Sequence, residues 1–344
     1  MRKIPWKVFL RSFCAMKILF KSAVCLLLCL TLFISCSPIT DNVMKRCDKE
    51  KYLYLVAGFD DAAENTDVLF TLGYDKTSDS VKIAQIPRDT YVNFGSSQNK
   101  INQLYASRVY AGATKYEAMA YTTEYVGELF GASFDGFIGL GTSAFRRIVD
   151  SLGGVEVDVP KAMRIEIDGE EALELREGIN HLGGADAEKF IRYRKGYVMG
   201  DLARMDAQKL FLSSLLKKLS SELTLPTLMR LAGVLQNEAV TDIHLVSFSS
   251  VVMDAVSDGA RAEYITVPGE PALSKSGLSF YVLNRKSAAE IAKQYMFADK
   301  GFDPEMAFLN PDDLSFANVY NDDDFEIREY SDTSLSDLKI NQRN

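Results

Sequence analysis

The sequence predicts an α/β fold, a central mixed β-sheet covered by helices. Apolar runs of strand length interleave with segments of helical period over residues 51–297, the order that builds a sheet with helices on its faces. Two of the runs are separated by only four turn-forming residues, which pairs them as an antiparallel hairpin; the others are spaced for longer connections. There is no internal repeat and no coiled-coil heptad.

The first strand is "YLYLVAG", Tyr52 to Gly58, and the second "DVLFTLGYD", Asp67 to Asp75. "KTSD" (Lys76 to Asp79) turns the chain into the third, "SVKIAQI", Ser80 to Ile86, which Pro87 ends by removing a backbone donor. Met119, Tyr125, Val126, Leu129 and Phe130 give residues 114–130 a helical stripe. "FDGFIGL" (Phe134 to Leu140) is a strand. "GTSAFRRIVDSLGG" (Gly141 to Gly154) is a helix, expected to start on Thr142 or Ser143 as N-cap and to stop at Gly153-Gly154. "VEVDVP" (Val155 to Pro160) alternates as a half-buried strand. Helices are expected at 185–193, 203–222, 244–257 and 286–297, with "AEYITVPG" (Ala262 to Gly269) a strand between the last two. From residue 298 to 344 acids and turn formers dominate ("NPDD", "NDDDFE"). That stretch reads as a flexible acidic tail, with "FANVYN" suited to dock as a short strand.

Residues 1–35 read as a secretory signal. Lys17 and Lys21 precede the apolar run "AVCLLLCLTLFI", Ala23 to Ile34. It is shorter than the roughly 17–25 residues of a comfortable membrane span, but long enough for a signal core. Small Ser35 stands directly before Cys36 in "LFISCSP", the pattern of a bacterial lipobox in which Cys36 is lipidated and begins the mature chain. Met16, which opens "MKILFK", is an alternative start, and an uncleaved anchor helix is the alternative to cleavage. Residues 36–50 are a polar tether. In either case the body lies outside the cytoplasm at a membrane surface.

Charge narrows the function. The chain holds 39 basic and 47 acidic residues, a formal charge of −8. Six basic groups (Arg2, Lys3, Lys7, Arg11, Lys17, Lys21) and no acid lie in the first 40 residues, so the body is more acidic than the whole. Such a body repels a phosphate polymer at long range, which argues against nucleic acid as a partner. Of five cysteines only Cys47 falls beyond the lipobox, so there is no disulfide framework. His181 and His244 are the only histidines, too few for a His-rich zinc site. A metal here is expected to be oxygen-ligated, such as Mg²⁺.

The candidate site residues cluster in four stretches at strand ends and helix turns. Asp60 and Asp61 follow the first strand, and Asp67 opens the second. Arg88 and Asp89 follow the third, with Lys100 and Asn102 in the loop beyond. "FIRYRKGYVMGDLARMDAQ" carries Arg192, Arg194, Asp201, Arg204 and Gln208. Ionised carboxylates such as Asp60 and Asp67 repel unless a cation lies between them. Mg²⁺ favours carboxylates with phosphate oxygens, and arginine forks match phosphate oxygens in pairs. If the stretches converge, they make an oxygen-ligated metal and anion site. Taken singly, each is also an ordinary surface pair. Arg192 and Arg194 share a side only in extended backbone, so either the chain between them leaves the helix or only one of the two points into the site.

In order along the chain, "YLYLVAGFD", "NTDVLFTLGYD", "VKIAQIPRDTYV", "KINQLYA", "FIGLGTSAFRRIVDSLGGVEVDVP", "GINHLGGADAEKFIRYR" and "GDLARMDAQKLFLSSLL" resemble the LytR-CpsA-Psr family of bacterial cell-envelope proteins. The resemblance implies a membrane-tethered phosphotransferase that moves a glycopolymer from a polyprenyl-pyrophosphate carrier to peptidoglycan, leaving a phosphodiester. It implies a mixed sheet with an apolar channel for the lipid and Mg²⁺ at the pyrophosphate. Asp60 and Asp67 then hold the metal. Arg88, Lys100, Asn102, Arg192, Arg194, Arg204 and Gln208 bind the pyrophosphate, and Asp67, Arg88 and Asp89 are catalytic, with Asp67 and Asp89 both candidates for the base. Phe145, Ile148, Val149, Leu212 and Leu216 would line the channel, and they serve equally well as core. The chain departs from the family at Ala62 and Asn65, where many members carry arginine, and at Ala207, a further basic position. Fewer cations leave a non-catalytic lipid or wall-polymer binder as the rival reading. A transcription regulator is opposed by the acidic body and the export signal.

The lipobox reading predicts that mass spectrometry of the membrane-bound protein finds a diacylglyceryl Cys36 amino terminus. An intact Met1 or Met16 would overturn it.

Overall fold

The computed structural model of the chain describes residues 49–59, 65–94, 99–167, 172–193, 201–273 and 278–307. From Glu50 onward the chain forms one compact unit. In order the elements are β1 (Lys51–Phe59), β2 (Thr66–Asp75), β3 (Ser80–Gln85), β4 (Tyr91–Val92), β5 (Asn99–Lys100), α1 (Gln103–Tyr110) and α2 (Lys115–Phe130). Next come β6 (Gly136–Leu140), α3 (Thr142–Ser151), β7 (Val155–Val159), β8 (Met163–Ile165), β9 (Leu173–Leu175), β10 (Gly178–Leu182) and α4 (Gly184–Arg192). They are followed by α5 (Asp201–Glu222), α6 (Leu225–Glu238), β11 (Val240–Thr241), α7 (Leu245–Ser257), β12 (Arg261–Thr266), β13 (Gly269–Leu273), β14 (Ser279–Leu283) and α8 (Arg285–Tyr295).

The main sheet is mixed, as expected, in the order β11-β6-β1-β2-β3-β12. β1–β2 and β2–β3 are antiparallel, and β1–β6 and β3–β12 parallel. The expected hairpin of the second and third strands is present. Alternation along β1 explains why both faces are covered. Leu53, Leu55, Ala57 and Phe59 enter a core beneath α1, α2 and α8, whereas Tyr52 and Tyr54 join Tyr74 and Val251 of α7 on the opposite face. A second core forms where α3, α4 and α5 close over the hairpin β7–β10, around Val149, Val155, Val157, Phe190 and Phe211. No helix among the described residues is long and apolar enough to cross a membrane.

The C-terminal ends of β1, β3, β6 and β12 and the start of β2 all fall at one end of this sheet. In open α/β sheets that end is where crevices form, because connections leave it in different directions.

Several local expectations need correction. Neither Thr142 nor Ser143 caps α3: the N-cap is Gly141, in extended backbone, with no side-chain cap hydrogen bond. The chain leaves β6 and enters α3 through that single residue. Asn102 lies at the N-cap of α1 rather than in an irregular loop. At eight residues α1 is too short to show a clear period. The expectations also omit α6, although its start is legible: Thr224 accepts from Thr227 N and Pro226 sits in the first turn. The stop at Gly153-Gly154 is present, with φ of 73° and 85°, backbone that glycine adopts without strain.

The body also continues past residue 297. Lys300 N donates to Gly131 O and Asp303 N to Leu129 O, while Phe302 packs 5.6 Å from Phe130 between ring centroids. Asn93 N and Tyr125 Oη both donate to Met306 O, and Ala307 is fully buried. Composition misplaces this boundary because three apolar anchors, Phe302, Met306 and Ala307, are interspersed with the acids Asp303 and Glu305. "FANVYN" and the remainder of the acidic stretch lie outside the described residues. A chain ending at Phe297 is therefore expected to be less stable than one ending at Ala307 by about 2–4 kcal/mol, as in the loss of one large core side chain. Urea denaturation of the two chains measures it, and equal midpoints would refute it.

Candidate functional site

The site begins with a mismatch between β1 and β2. Gly58 pairs with Val68 but Phe59 pairs with Thr66, so Asp67 is the extra residue of a β-bulge. A bulge bends the strand and re-aims the unpaired side chain. Thr66 and Leu69 stay buried on either side, and the carboxylate of Asp67 turns to the sheet end with about a third of its surface exposed. Phe59 is held by stacking on Tyr105 of α1 at 4.4 Å. Burial pushes the Tyr105 hydroxyl above its ordinary pKa, so that ring stays neutral.

Arg88 arrives from the other side. Pro87 stops β3, and Thr90 N donates to Pro87 O at 3.0 Å, closing a turn with Arg88 and Asp89 at its tip. Thr90 Oγ1 donates to the same carbonyl at 2.6 Å. Tyr281 N of β14 donates to Asp89 O, which fixes the turn from behind. Arg88 Nη1 donates to Asp67 Oδ1 at 2.6 Å, and its Nε lies 3.6 Å from Asp89 Oδ2. Lys100 Nζ donates to Asp89 Oδ1 at 2.8 Å. Asp67, Arg88, Asp89 and Lys100 thus form a chain of alternating charge, each partly buried.

Asn102 acts here through its backbone. Its N–H donates to Arg88 O at 3.2 Å, and its carbonyl accepts from Thr66 N at 3.3 Å. One residue therefore ties the arginine turn to the base of the bulge. Its Oδ1 is buried without a hydrogen-bond partner among the described residues.

The second group lies where α4 ends. Arg192 is the last residue of α4, and Tyr193 is extended with φ −66° and ψ 133°, so the helix stops between the two arginines. Arg192 Nη1 donates to Glu188 Oε1 at 2.6 Å, and Glu188 is only 2% exposed. Arg146 Nε of α3 donates to the other oxygen, Glu188 Oε2. Gln208 of α5 joins the two groups. Its Nε2 donates to Ile191 O at 3.4 Å, and its Oε1 accepts from Gln85 Nε2 at 2.8 Å. Gln85 Oε1 accepts in turn from Tyr264 Oη of β12. A bonded path therefore runs from the end of β3, three residues before Arg88, to the residue before Arg192.

Asp67, Arg88, Asp89, Lys100 and Asn102 are thus brought together, and Arg192 and Gln208 are linked to them. Asp60, Ala62, Arg194 and Cys36 lie outside the described residues, as do the side chains of Asp201 and Arg204. Asn65 stands immediately before β2, and Ala207 is 4% exposed in the second core. Val149 is also core, Phe145 packs on Phe211 at 5.4 Å, and Ile148, Leu212 and Leu216 are half-buried. Gln85, Tyr264, Glu188 and Arg146 were missed. One signal was available: Glu188 and Arg192 are spaced i,i+4 on α4, a pairing distance. Gln85 and Tyr264 could not be paired from sequence, since 179 residues separate them.

The donor set suits Mg²⁺ in chemistry, since Asp67 and Asp89 offer hard oxygens beside arginines that attract phosphate. Among the described residues no three acidic, histidine or cysteine side chains group as a complete cage.

Residues 37–296 match the LytR_cpsA_psr family. The polyisoprenyl-teichoic acid–peptidoglycan teichoic acid transferase TagV of Bacillus subtilis (strain 168) is 26% identical over 208 residues, 57% of this chain and 51% of that protein. TagU of Oceanobacillus iheyensis, which bears the same transferase name, is 26% identical over 64% of this chain and 66% of that protein. The cell wall biosynthesis protein LcpA of Corynebacterium glutamicum is 27% identical over 64% of this chain and 46% of that protein. The chain thus spans about half the length of the first and third. The crystal structure of B. subtilis TagV superposes with a TM-score of 0.62 at 22% identity, over 73% of this chain and 98% of that one. TagT bound to LIIa-WTA gives 0.57 at 21% identity, over 73% and 92%. At these identities the superpositions show the fold.

The alternating charges predict a measurable coupling. Arg88→Met leaves Asp67 without that partner and is expected to cost about 1–3 kcal/mol. Adding Asp67→Asn recovers part of that loss in a double-mutant cycle read by urea denaturation. Strict additivity would show that the pair does not interact.

Proposed function

The chain belongs to the LytR-CpsA-Psr family, and on that premise we propose that it is a membrane-tethered phosphotransferase outside the cytoplasm. It moves a glycopolymer from a polyprenyl-pyrophosphate carrier to peptidoglycan, as the names of its relatives suggest. The observation that carries this reading is the hydrogen-bonded path from Gln85, at the end of β3, through Gln208 to Ile191 O, which joins the Arg88 turn and its two carboxylates to the last turn of α4, where Arg192 lies.

The reaction balances with few parts. A peptidoglycan hydroxyl oxygen attacks the phosphorus that bears the glycan. The bond from that phosphorus to the bridging oxygen breaks, and polyprenyl monophosphate leaves with the electron pair. The hydroxyl proton passes to Asp67 or Asp89. Arg88 and Arg192 meet charge that grows on the phosphate oxygens, where fixed donors need no reorganisation. Mg²⁺ bound by Asp67 and Asp60 would supply Lewis-acid polarisation of the same oxygens. The half-buried apolar residues of α5, Leu212 and Leu216 among them, are suited to the lipid. The amino-terminal signal and Cys36 provide the tether.

Full-length protein mixed with a lipid-pyrophosphate-linked glycan and peptidoglycan is expected to release polyprenyl monophosphate in a Mg²⁺-dependent reaction. Arg88→Ala should slow turnover about 10²–10³-fold, the range for removing one transition-state donor. If Asp89 is the base, Asp89→Asn loses the rate with its Mg²⁺ dependence unchanged; if Asp67 is the base, Asp89→Asn keeps most of the rate and Asp67→Asn loses it even at saturating Mg²⁺. Binding of the lipid without transfer at any metal concentration would overturn the enzyme in favour of a binder.

A further inference from the structure

Glu188 is an ionisable side chain in an otherwise apolar setting. It is 2% exposed, between Ala187 and Phe190 of the second core. A lone carboxylate there would be costly, so its two oxygens each hold a guanidinium: Oε1 that of Arg192, Oε2 that of Arg146. The buried member is the acid, and the cations are the accessible members. The side chains of Arg192 and Arg146 are 49% and 43% exposed.

The backbone explains why the two forks meet. α4 crosses α3 with Gly184 against Arg146: a Cβ on Gly184 would collide with Arg146 O. Gly184 N donates to Asp150 Oδ1 at 2.7 Å, which pins the start of α4 one turn further along α3. Arg146 then reaches forward along α4 by one turn to residue 188, and Arg192 reaches back by one turn to the same residue. Arg146 is thereby carried from the crossing toward the end of α4 that Gln208 ties to the site.

We propose that Arg146 is an additional anion-binding side chain of the pyrophosphate pocket, presented beside Arg192 by the buried carboxylate of Glu188. The ligand class is a diphosphate ester. The carboxylate they share is buried while the two guanidinium-bearing side chains are partly exposed, so each can turn N–H groups toward phosphate oxygens. The inference rests on the pyrophosphate reading of the site. Glu188 is a positioning residue and Arg146 a binding one.

The test is calorimetric titration of the full-length protein in detergent with farnesyl pyrophosphate as probe. Arg146→Gln is expected to weaken binding about tenfold, the equivalent of one charged hydrogen bond. Arg146→Lys, which keeps the charge but not the fork, should lose about threefold. Glu188→Leu with Arg146→Gln separates binding from support. If Arg146 only neutralises Glu188, then once Glu188 is leucine the further change Arg146→Gln leaves affinity unaltered. If Arg146 binds the anion, that change still weakens it at least threefold. Wild-type affinity retained within twofold in Arg146→Gln, with Arg88→Ala impaired, overturns the inference alone. A wild-type protein that does not bind the probe overturns the pyrophosphate reading and the inference with it.

Discussion

The site depends on one extra residue. β2 carries one more residue than β1 can pair at the Phe59–Thr66 end, and the surplus is Asp67. In a regular ladder the next side chain would alternate back to the opposite face, because the strand period is two. The bulge breaks that alternation locally, so Thr66 and Leu69 both remain buried while the carboxylate between them emerges at the sheet end. There it meets Arg88 across the hairpin. The Asn102 backbone, bonded to both Arg88 and Thr66, holds the two ends of the arrangement at a fixed separation.

Around that point the protein economises on cations. It is an acidic chain, and the described basic side chains of the candidate site stand against carboxylates: Arg88 against Asp67 and Asp89, Lys100 against Asp89, and Arg192 against Glu188, which also takes Arg146. Such pairing fixes long flexible side chains before a ligand arrives, so less rotamer entropy is lost on binding. It also means that an incoming anion competes with protein carboxylates. A divalent cation that takes over a carboxylate would release an arginine fork toward phosphate, which makes metal and anion binding mutually favourable in principle.

Gln85 and Gln208 do different work. They carry no charge, and they join β3, β12, α5 and the last turn of α4 through side-chain amides. Each amide has a donor and an acceptor, so one residue can accept on one side and donate on the other. A charged pair in that position would add a local field, whereas the glutamines transmit position alone. Through them the turn that carries Arg88 and the helix end that carries Arg192 are tied together.

The α/β class, the mixed sheet, the hairpin and most element positions were legible in the sequence, because strand and helix periods depend on neighbours a few residues apart. The motifs that carry Asp67, Arg88, Asp89, Lys100, Arg192 and Gln208 were legible too, in a fixed order, but not which of these side chains meet. The family followed from the same motifs. The short α1 and the packed stretch after residue 297 were not legible, since eight residues hold too few turns and three apolar anchors among acids leave composition unchanged. Tertiary structure alone decided how the residues are used. The bulge is a count of residues between two strands, and no local pattern records it. The Asn102 clamp uses backbone groups that every residue but proline has. Tyr264 meets Gln85, and Arg146 meets Glu188, only when helices and strands distant in the chain have packed. The sequence determined which chemical groups were available; the packing determined which charges stand opposite one another, because electrostatic and hydrogen-bond energies depend on distances that folding sets.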